Sequence, residues 1–241
     1  MDAYLHDVHF HLDLYKDQEN IFHEIIKNKI STIAVTNLPQ LYREIKKKIN
    51  NPFIKVALGF HPELIYEYKK YIPIMWEELP TAQYIGEVGL DFKNGKHNIN
   101  FQLQFFEQLV EKCHHLPNKT ISIHSRRGEK EIINIIGNNF PGKIILHWYS
   151  GSIELLKEAL HKGFYFSVNT AMISNEKGQN IIKNLPYDRI LLESDAPFVK
   201  YRKQEYMPVM MKNVLQDLAN LLGMESTILR QMLKNNFEKV I

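Results

Sequence analysis

The feature that most restricts the fold is a repeating alternation. Short runs rich in β-branched and apolar residues are each followed by a longer segment of helical period, the pattern of βαβ units around a parallel sheet. The runs are residues 4–8, 32–36, 55–58, 84–87, 120–123, 143–147, 164–168 and 189–193. Eight is the number of strands that closes a barrel. Amphipathic segments at 18–29, 100–115, 129–138, 152–162 and 176–184 supply the crossovers that consecutive parallel strands require. Pro141 with Gly142, and Gly163, fall where helices should stop and strands begin. After the last run, 207–222 and 226–240 read as two closing helices separated by Gly223. With no repeat, low-complexity tract or linker, the expected fold is α/β, a single (β/α)8 TIM barrel over residues 1–241.

Composition agrees and narrows the function classes. Hydrophobic residues at 44% and charged residues at 24% allow a substantial buried core and exclude disordered and fibrous chains. The one cysteine, Cys113, rules out a disulfide framework and reads as a small buried residue, which fits a reducing, cytoplasmic setting. Residues 1–8 carry Asp2, His6 and Asp7 and lack the basic start and apolar run of a signal peptide. Apolar stretches stop well short of the roughly 20 residues of a membrane helix, so the expectation is a soluble chain without a membrane partner. A net charge of +3 permits a nucleic-acid partner without demanding one.

The histidines carry the strongest chemical signal. In Asp7-Val8-His9-Phe10-His11, two imidazoles at i and i+2 project to one side of an extended chain. His9, His11, His61, His124 and His147 all sit at or just past a predicted strand end, where barrel enzymes place their catalytic groups. The other six, His6, His23, His97, His114, His115 and His161, fall before strands or on helices, where solvated or capping roles are expected. Glu87 and Asp195 end two further apolar strands, completing a set of N and O donors suited to divalent cations. An unpaired carboxylate at Glu87 would be costly to bury, and a bridge between two cations removes that cost. Asp195 could instead cap a helix, and Asp91 could serve as a turn residue, a partner of a ligand or a substrate contact.

Arg126 and Arg127 place positive charge beside this set, and arginine matches phosphate oxygens bidentately. Arg127 is equally readable as a solvated loop residue. Lys200, Arg202 and Lys203 are expected to add charge to the same rim and to favour an anionic substrate. Ser150-Gly151-Ser152 fits an ordinary N-cap better than a phosphate cradle. Trp148, Tyr149, Tyr201 and Tyr206 could stack on bases or serve as packing elements.

These motifs resemble those of the TatD-related metal-dependent deoxyribonucleases. The resemblance runs through His9-Phe10-His11-Leu12-Asp13, Gly59-Phe60-His61-Pro62, Ile85-Gly86-Glu87-Val88-Gly89-Leu90-Asp91 and Ile123-His124-Ser125-Arg126. It continues through His147-Trp148-Tyr149-Ser150-Gly151, Glu193-Ser194-Asp195-Ala196-Pro197 and Asn235-Asn236-Phe237. Within the family, HLDLY, VALGFHPEL, SIHSRR, LHWYSGS, YFSVN and ESDAPF are most similar to the TatD-like component of the Qat anti-phage defence system. The resemblance implies a barrel of the metal-dependent hydrolase type and two divalent metal ions (Mg, Mn or Zn). It implies that His9 and His11 bind one metal with Asp195, that Glu87 bridges, and that His124 and His147 bind the second. It further implies that His61 and Arg126 face a substrate phosphate, that DNA is the substrate, and that other Qat defence-system proteins are candidate partners. One segment departs from the family pattern: an Arg-Asn-Glu-Pro-like stretch is replaced by Tyr201-Arg202-Lys203-Gln204-Glu205-Tyr206-Met207-Pro208.

The mechanism expected of such a site is two-metal activation of water, with Asp195 taking the nucleophile's proton and His61 and Arg126 holding the phosphate. Two alternatives stand beside it. An amidohydrolase or phosphotriesterase-like barrel uses a closely similar site and would be marked by a deep apolar pocket, whereas an open basic groove favours DNA. A defence-complex partner would use its barrel mainly as an interaction surface, and such a scaffold has no need of the six ligands.

Overall fold

The alternation folds as a ring of parallel strands. The computed structural model describes residues 5–116 and 118–241, so Tyr4 of the first predicted strand and the first half of the 1–8 segment lie outside the described residues. The strands are β1 (Leu5–Phe10), β2 (Ile30–Ala34), β3 (Ile54–Val56), β4 (Tyr84–Asp91), β5 (Thr120–Arg126), β6 (Lys143–His147), β7 (Tyr165–Val168) and β8 (Ile190–Leu192). They form two parallel ladders, β1-β2-β3 and β4 through β8 in chain order. Main-chain hydrogen bonds join the ladders at both seams. Leu58 N–H donates to Tyr84 O and Gly86 N–H to Leu58 O, each at 2.9 Å; Asp195 N–H donates to His9 O and His11 N–H to Ala196 O, also at 2.9 Å. The ring is therefore closed, with every strand's C-terminal end on one rim, as in a (β/α)8 barrel.

The crossovers are α1 (Gln18–Lys27), α2 (Pro39–Lys48), α3 (Ile72–Glu78), α4 (Ile99–His114), α5 (Glu129–Ile136), α6 (Ile153–His161), α7 (Thr170–Ile173) and α8 (Glu176–Lys183). They are followed by α9 (Met211–Leu222) and α10 (Ser226–Glu238). Helices α2, α3 and α7 were not singled out by the sequence pattern. The caps explain several boundaries: Asp17 accepts from Asn20 N–H, and Ser152 accepts from Leu155 N–H as expected. Gly223 takes the left-handed conformation that ends α9.

All eight residues of β4 are buried, as both faces of a strand inside a parallel barrel should be. β4 and β5 run further than expected because their ladder continues through the pairs Gly89–His124, Leu90–Ser125 and Asp91–Arg126. A smaller apolar cluster joins Val8, Ile33, Val35 and Leu191 to Phe237 and Val240 at the end of the chain. His6 corrects an expectation. Instead of a solvated or capping position it lies buried in β1, accepts a hydrogen bond from Leu192 N–H at 3.0 Å and stacks on Phe237. No helix among the described residues is long and apolar enough to cross a membrane.

Candidate metal centre

The C-terminal rim gathers the expected donors around one carboxylate. Glu87, in β4, has Oε2 at 3.4 Å from His9 Nε2 and 3.3 Å from His11 Nε2. Its Oε1 lies 2.7 Å from His124 Nδ1, 2.9 Å from His147 Nε2 and 3.5 Å from His61 Nε2. Asp195, three residues past β8, brings Oδ1 to 3.8 Å from His9 Nε2 and 3.5 Å from His11 Nε2. Its side chain caps no helix and turns into the cluster, so the alternative cap role is not the one adopted.

The fit to a cation follows from hydrogen bonding. His9 Nε2, His11 Nε2 and Asp195 Oδ1 are buried and lack a hydrogen-bond partner among the described residues. Buried polar atoms are otherwise almost always paired, and an orphan costs about 1–3 kcal/mol. Separations of 3.3–3.8 Å between these donors are those of ligands sharing one cation at about 2.0–2.2 Å. Three overlapping triads among the described residues, His9–His147–Asp195, His9–His11–Glu87 and His61–Glu87–His124, each bring one donor per residue within 4.8 Å of one another.

Electrostatics point the same way. Burial would raise the Glu87 carboxyl, but the charges of His61, His147 and His9 hold it well below the usual range. Burial would lower His11, but Asp195 and Glu87 outweigh it and lift the imidazole to about 10. Burial would likewise lower His147, and Glu87 and Glu193 push it well above the usual value. The centre thus neutralises its carboxylates with imidazolium protons, which a divalent cation would replace on binding. His9 goes the other way, lowered by burial and then by the His147 charge.

A ring of neighbours holds the ligands from behind, and most of it was invisible in the sequence. His9 Nδ1 is 2.8 Å from Ser122 Oγ, and His11 Nδ1 is 3.3 Å from Asn37 Nδ2 and 3.9 Å from Asp13 Oδ1. Glu193, fully buried, lies 3.7 Å from His147 Nδ1 and is itself fixed by Ser167 Oγ, Asn169 Nδ2 and Trp148 N–H. Asp7 accepts from Ser194 N–H and Ser194 Oγ, tying β1 to the segment carrying Asp195. Asp91 Oδ2 pairs with His124 Nε2 at 2.9 Å while Oδ1 accepts from Lys93 and Asn94, so it is both a ligand's partner and a turn residue. Such partners fix ring orientation and tautomer. The available signal was a buried-strand carboxylate two residues before Asp195; Ser122 and Asn37 carried none.

A family model described as TatD related DNase matches residues 6–241. The chain belongs to this family.

Similar proteins match this chain over most of their length. The uncharacterized metal-dependent hydrolase YabD of Bacillus subtilis is 26% identical, covering 91% of this chain and 92% of its own. Deoxyribonuclease TATDN3 of Homo sapiens is 26% identical over 82% of this chain and 80% of its own. Among solved structures, the TatD homolog YJJV of Escherichia coli superposes with a TM-score of 0.87 at 19% identity, covering 100% of this chain and 99% of its own. An organophosphorus hydrolase of Deinococcus radiodurans shares the fold at a TM-score of 0.61 and 11% identity, covering 99% and 92%.

In this TatD-family barrel the centre lies at the floor of a cavity of about 770 Å³. Glu87, His61, His124, His147 and Asp195 line it, with Arg126 as the one Lys or Arg among its described lining residues. Much of the wall is apolar: Leu14, Leu38, Leu41, Leu64, Trp148 and Phe198. Phe198 went unnoticed in the sequence, yet it is 62% exposed and sets its ring edge-on to His11 at 5.0 Å. Three readings left open or coarse by the sequence are resolved. Lys200, Arg202 and Lys203 line a neighbouring depression on the same rim rather than the cavity itself. Arg127 is an exposed residue with a left-handed backbone and does not line the cavity. Of the four aromatic candidates only Trp148 faces the cavity; Tyr149, Tyr201 and Tyr206 are buried packing residues.

Proposed function

We propose that this TatD-family metal-dependent hydrolase cleaves phosphodiester bonds of DNA at a two-metal centre, acting as one barrel unit over residues 1–241. The observation that carries the reading is the convergence of His9 Nε2, His11 Nε2 and Asp195 Oδ1, buried and unpartnered, on the Glu87 carboxylate. His9, His11 and Asp195 would hold one cation and His124 and His147 the other, with Glu87 turning Oε2 toward His9 and Oε1 toward His124. Mg, Mn or Zn suits such imidazole and carboxylate donors. Bound there, divalent cations make water more acidic and neutralise phosphate charge.

The chain's own groups do the rest. Asp195 accepts the proton of the attacking water. Arg126 donates in a planar fork to the non-bridging phosphate oxygens, and His61 stabilises charge on the departing oxygen. Glu193, Ser122 and Asn37 keep the imidazoles aimed, so that little reorganisation is needed on substrate binding. The stretches similar to the TatD-like component of Qat systems extend the reading to anti-phage defence in the cytoplasm, with other Qat proteins as partners. Phage plaquing on cells carrying the system with Asp195→Asn in place tests this: unchanged protection would leave a scaffold role.

The apolar wall favours a second reading, a phosphotriesterase or amide hydrolase acting on small apolar substrates. Both are separated by one panel: labelled single- and double-stranded DNA, a phosphotriester and a lactone, each incubated with Mg, Mn or Zn. DNA cleavage exceeding turnover of the small substrates is the expected result. Efficient phosphotriester or lactone hydrolysis with inert DNA would replace the nuclease reading with the second one.

A further inference from the structure

The cavity over the candidate metal centre is poorly equipped to hold a long polyanion. Arg126 is the one Lys or Arg among its described lining residues, and the walls are largely leucine, tryptophan and phenylalanine. One arginine can orient one phosphate, whereas polynucleotide affinity rests on several cations that neutralise successive phosphates.

The missing charge lies next door. A second depression, of about 810 Å³, is lined by Lys200, Arg202, Lys203, Thr170, Ser174 and Asn220, among others. It opens on the same rim: Thr170 begins α7 directly after β7, and Lys200 follows β8. The two depressions share a short stretch of chain, since Phe198 lines the first and Lys200 the second. Asp217 is the one carboxylate among the described lining residues, and it is already engaged by Tyr201 Oη at 2.9 Å and Arg202 Nη2 at 3.1 Å. Lys200 and Lys203 are exposed and make no ion pair among the described residues. The local charge is therefore positive and open to solvent.

The backbone there is built to present these cations. Tyr201 and Gln204 exchange N–H···O bonds of 3.1 and 2.9 Å, closing a two-residue turn in which Arg202 and Lys203 have φ of 47° and 70°. Turns of this kind ordinarily take Asn-Gly, because both central residues are left-handed. Here two basic side chains occupy those positions, and the buried Tyr201 ring and Asp217 pin the turn.

We propose that Lys200 and the Tyr201–Gln204 turn form a second phosphate-binding site, which holds the backbone of a polynucleotide beyond the bond being cleaved. The inference rests on the nuclease reading and names where the rest of that substrate lies. Arg202 stays with Asp217 to fix the turn, while Lys200 and Lys203 make the phosphate contacts. The site governs affinity for long substrates and its salt dependence and leaves the chemical step alone.

The test compares wild type, Lys200→Gln/Lys203→Gln and Lys47→Gln/Lys48→Gln. The last pair removes equal charge from the exposed C-terminal turn of α2, at the opposite end of the barrel from the rim. Each protein is assayed with its activating metal on a single-stranded oligonucleotide of about 20 nucleotides and on a small chromogenic phosphodiester, across a salt series. For Lys200→Gln/Lys203→Gln, KM for the oligonucleotide should rise on the order of tenfold at low salt, and the slope of log KM against log salt should fall by about 1.4. Its kcat, and both constants for the small diester, should match wild type, as should the Lys47→Gln/Lys48→Gln protein throughout. An unchanged KM and slope would overturn the site, and an equal change in the α2 variant would reduce it to a net-charge effect. In either case wild-type DNA cleavage would stand. Wild type inert on DNA would remove the nuclease reading and this inference with it.

Discussion

Each imidazole of the rim cluster turns one nitrogen toward Glu87 and gives the other to a neighbour outside the cluster. His9 uses Ser122, His124 uses Asp91 and His147 faces Glu193. Asp195 Oδ1 is buried without a hydrogen-bond partner among the described residues, and in the proposed reaction this carboxylate takes the proton of the attacking water. Asp195→Asn keeps the shape and removes the base, so turnover should fall by about 100- to 10,000-fold with the melting temperature nearly unchanged; an active variant would take Asp195 out of the chemistry. His6 gives a residue-scale prediction about stability. Burial lowers its pKa to about 3, against 6.5 in an unfolded chain. Between those values the unfolded chain binds a proton that the native protein does not, so stability is full above about pH 6.5 and is lost as pH falls toward 3. His6→Phe should flatten that part of the stability curve in urea titrations from pH 7 to 4. At pH 8 it should cost about 1–3 kcal/mol because Leu192 N–H loses its acceptor. A pH profile identical to wild type would show that His6 does not set the acid sensitivity.

At the scale of elements, the rim depends on how closely β2, β4 and the segment after β3 approach. Gly59 permits this: a Cβ there would sit 1.6 Å from Thr36 O and 2.6 Å from Glu87 N. Both contacts are backbone atoms of the seam, so no side-chain rotation relieves them. Gly59→Ala should destabilise the protein by about 3 kcal/mol or more in urea unfolding and displace Glu87 and His61; a loss below about 0.5 kcal/mol would mean the seam is pliable. The strands were legible because β-branched runs punctuated by Pro-Gly and Gly carry their own signal, and the ends of β4 and β5 were not, because a ladder extends as far as its partner does. α2 was hidden by a lysine-rich last turn that lowers its apolar content. The donors His9, His11, Glu87, His124, His147 and Asp195 could be named as a group because strand ends meet on one rim. Ser122, Asn37 and Glu193 could not, since their contacts depend on cross-strand register and on three-dimensional placement. Sequence proximity to Asp195 likewise did not tell that Lys200 and its neighbours line a neighbouring depression of the rim instead of the cavity itself.

For the whole molecule, a barrel closed at both seams leaves one rim on which carboxylates and imidazoles are buried at close quarters, and that arrangement needs compensating positive charge. In the protein as described the compensation comes from protons on His11 and His147, which lie above their ordinary pKa. Cation binding must displace them, so affinity should rise with pH. The account's central claim is that this rim holds the cations on which hydrolysis depends. It is tested most directly by titrating metal-stripped wild type and His9→Ala/His11→Ala with Mn or Zn in a calorimeter and assaying cleavage of labelled DNA in the same samples. Wild type should bind two ions with release of protons and cleave DNA only when loaded, and the double variant should lose a site and the cleavage together. Cleavage that persists in the metal-stripped protein, or in the double variant, would contradict the account.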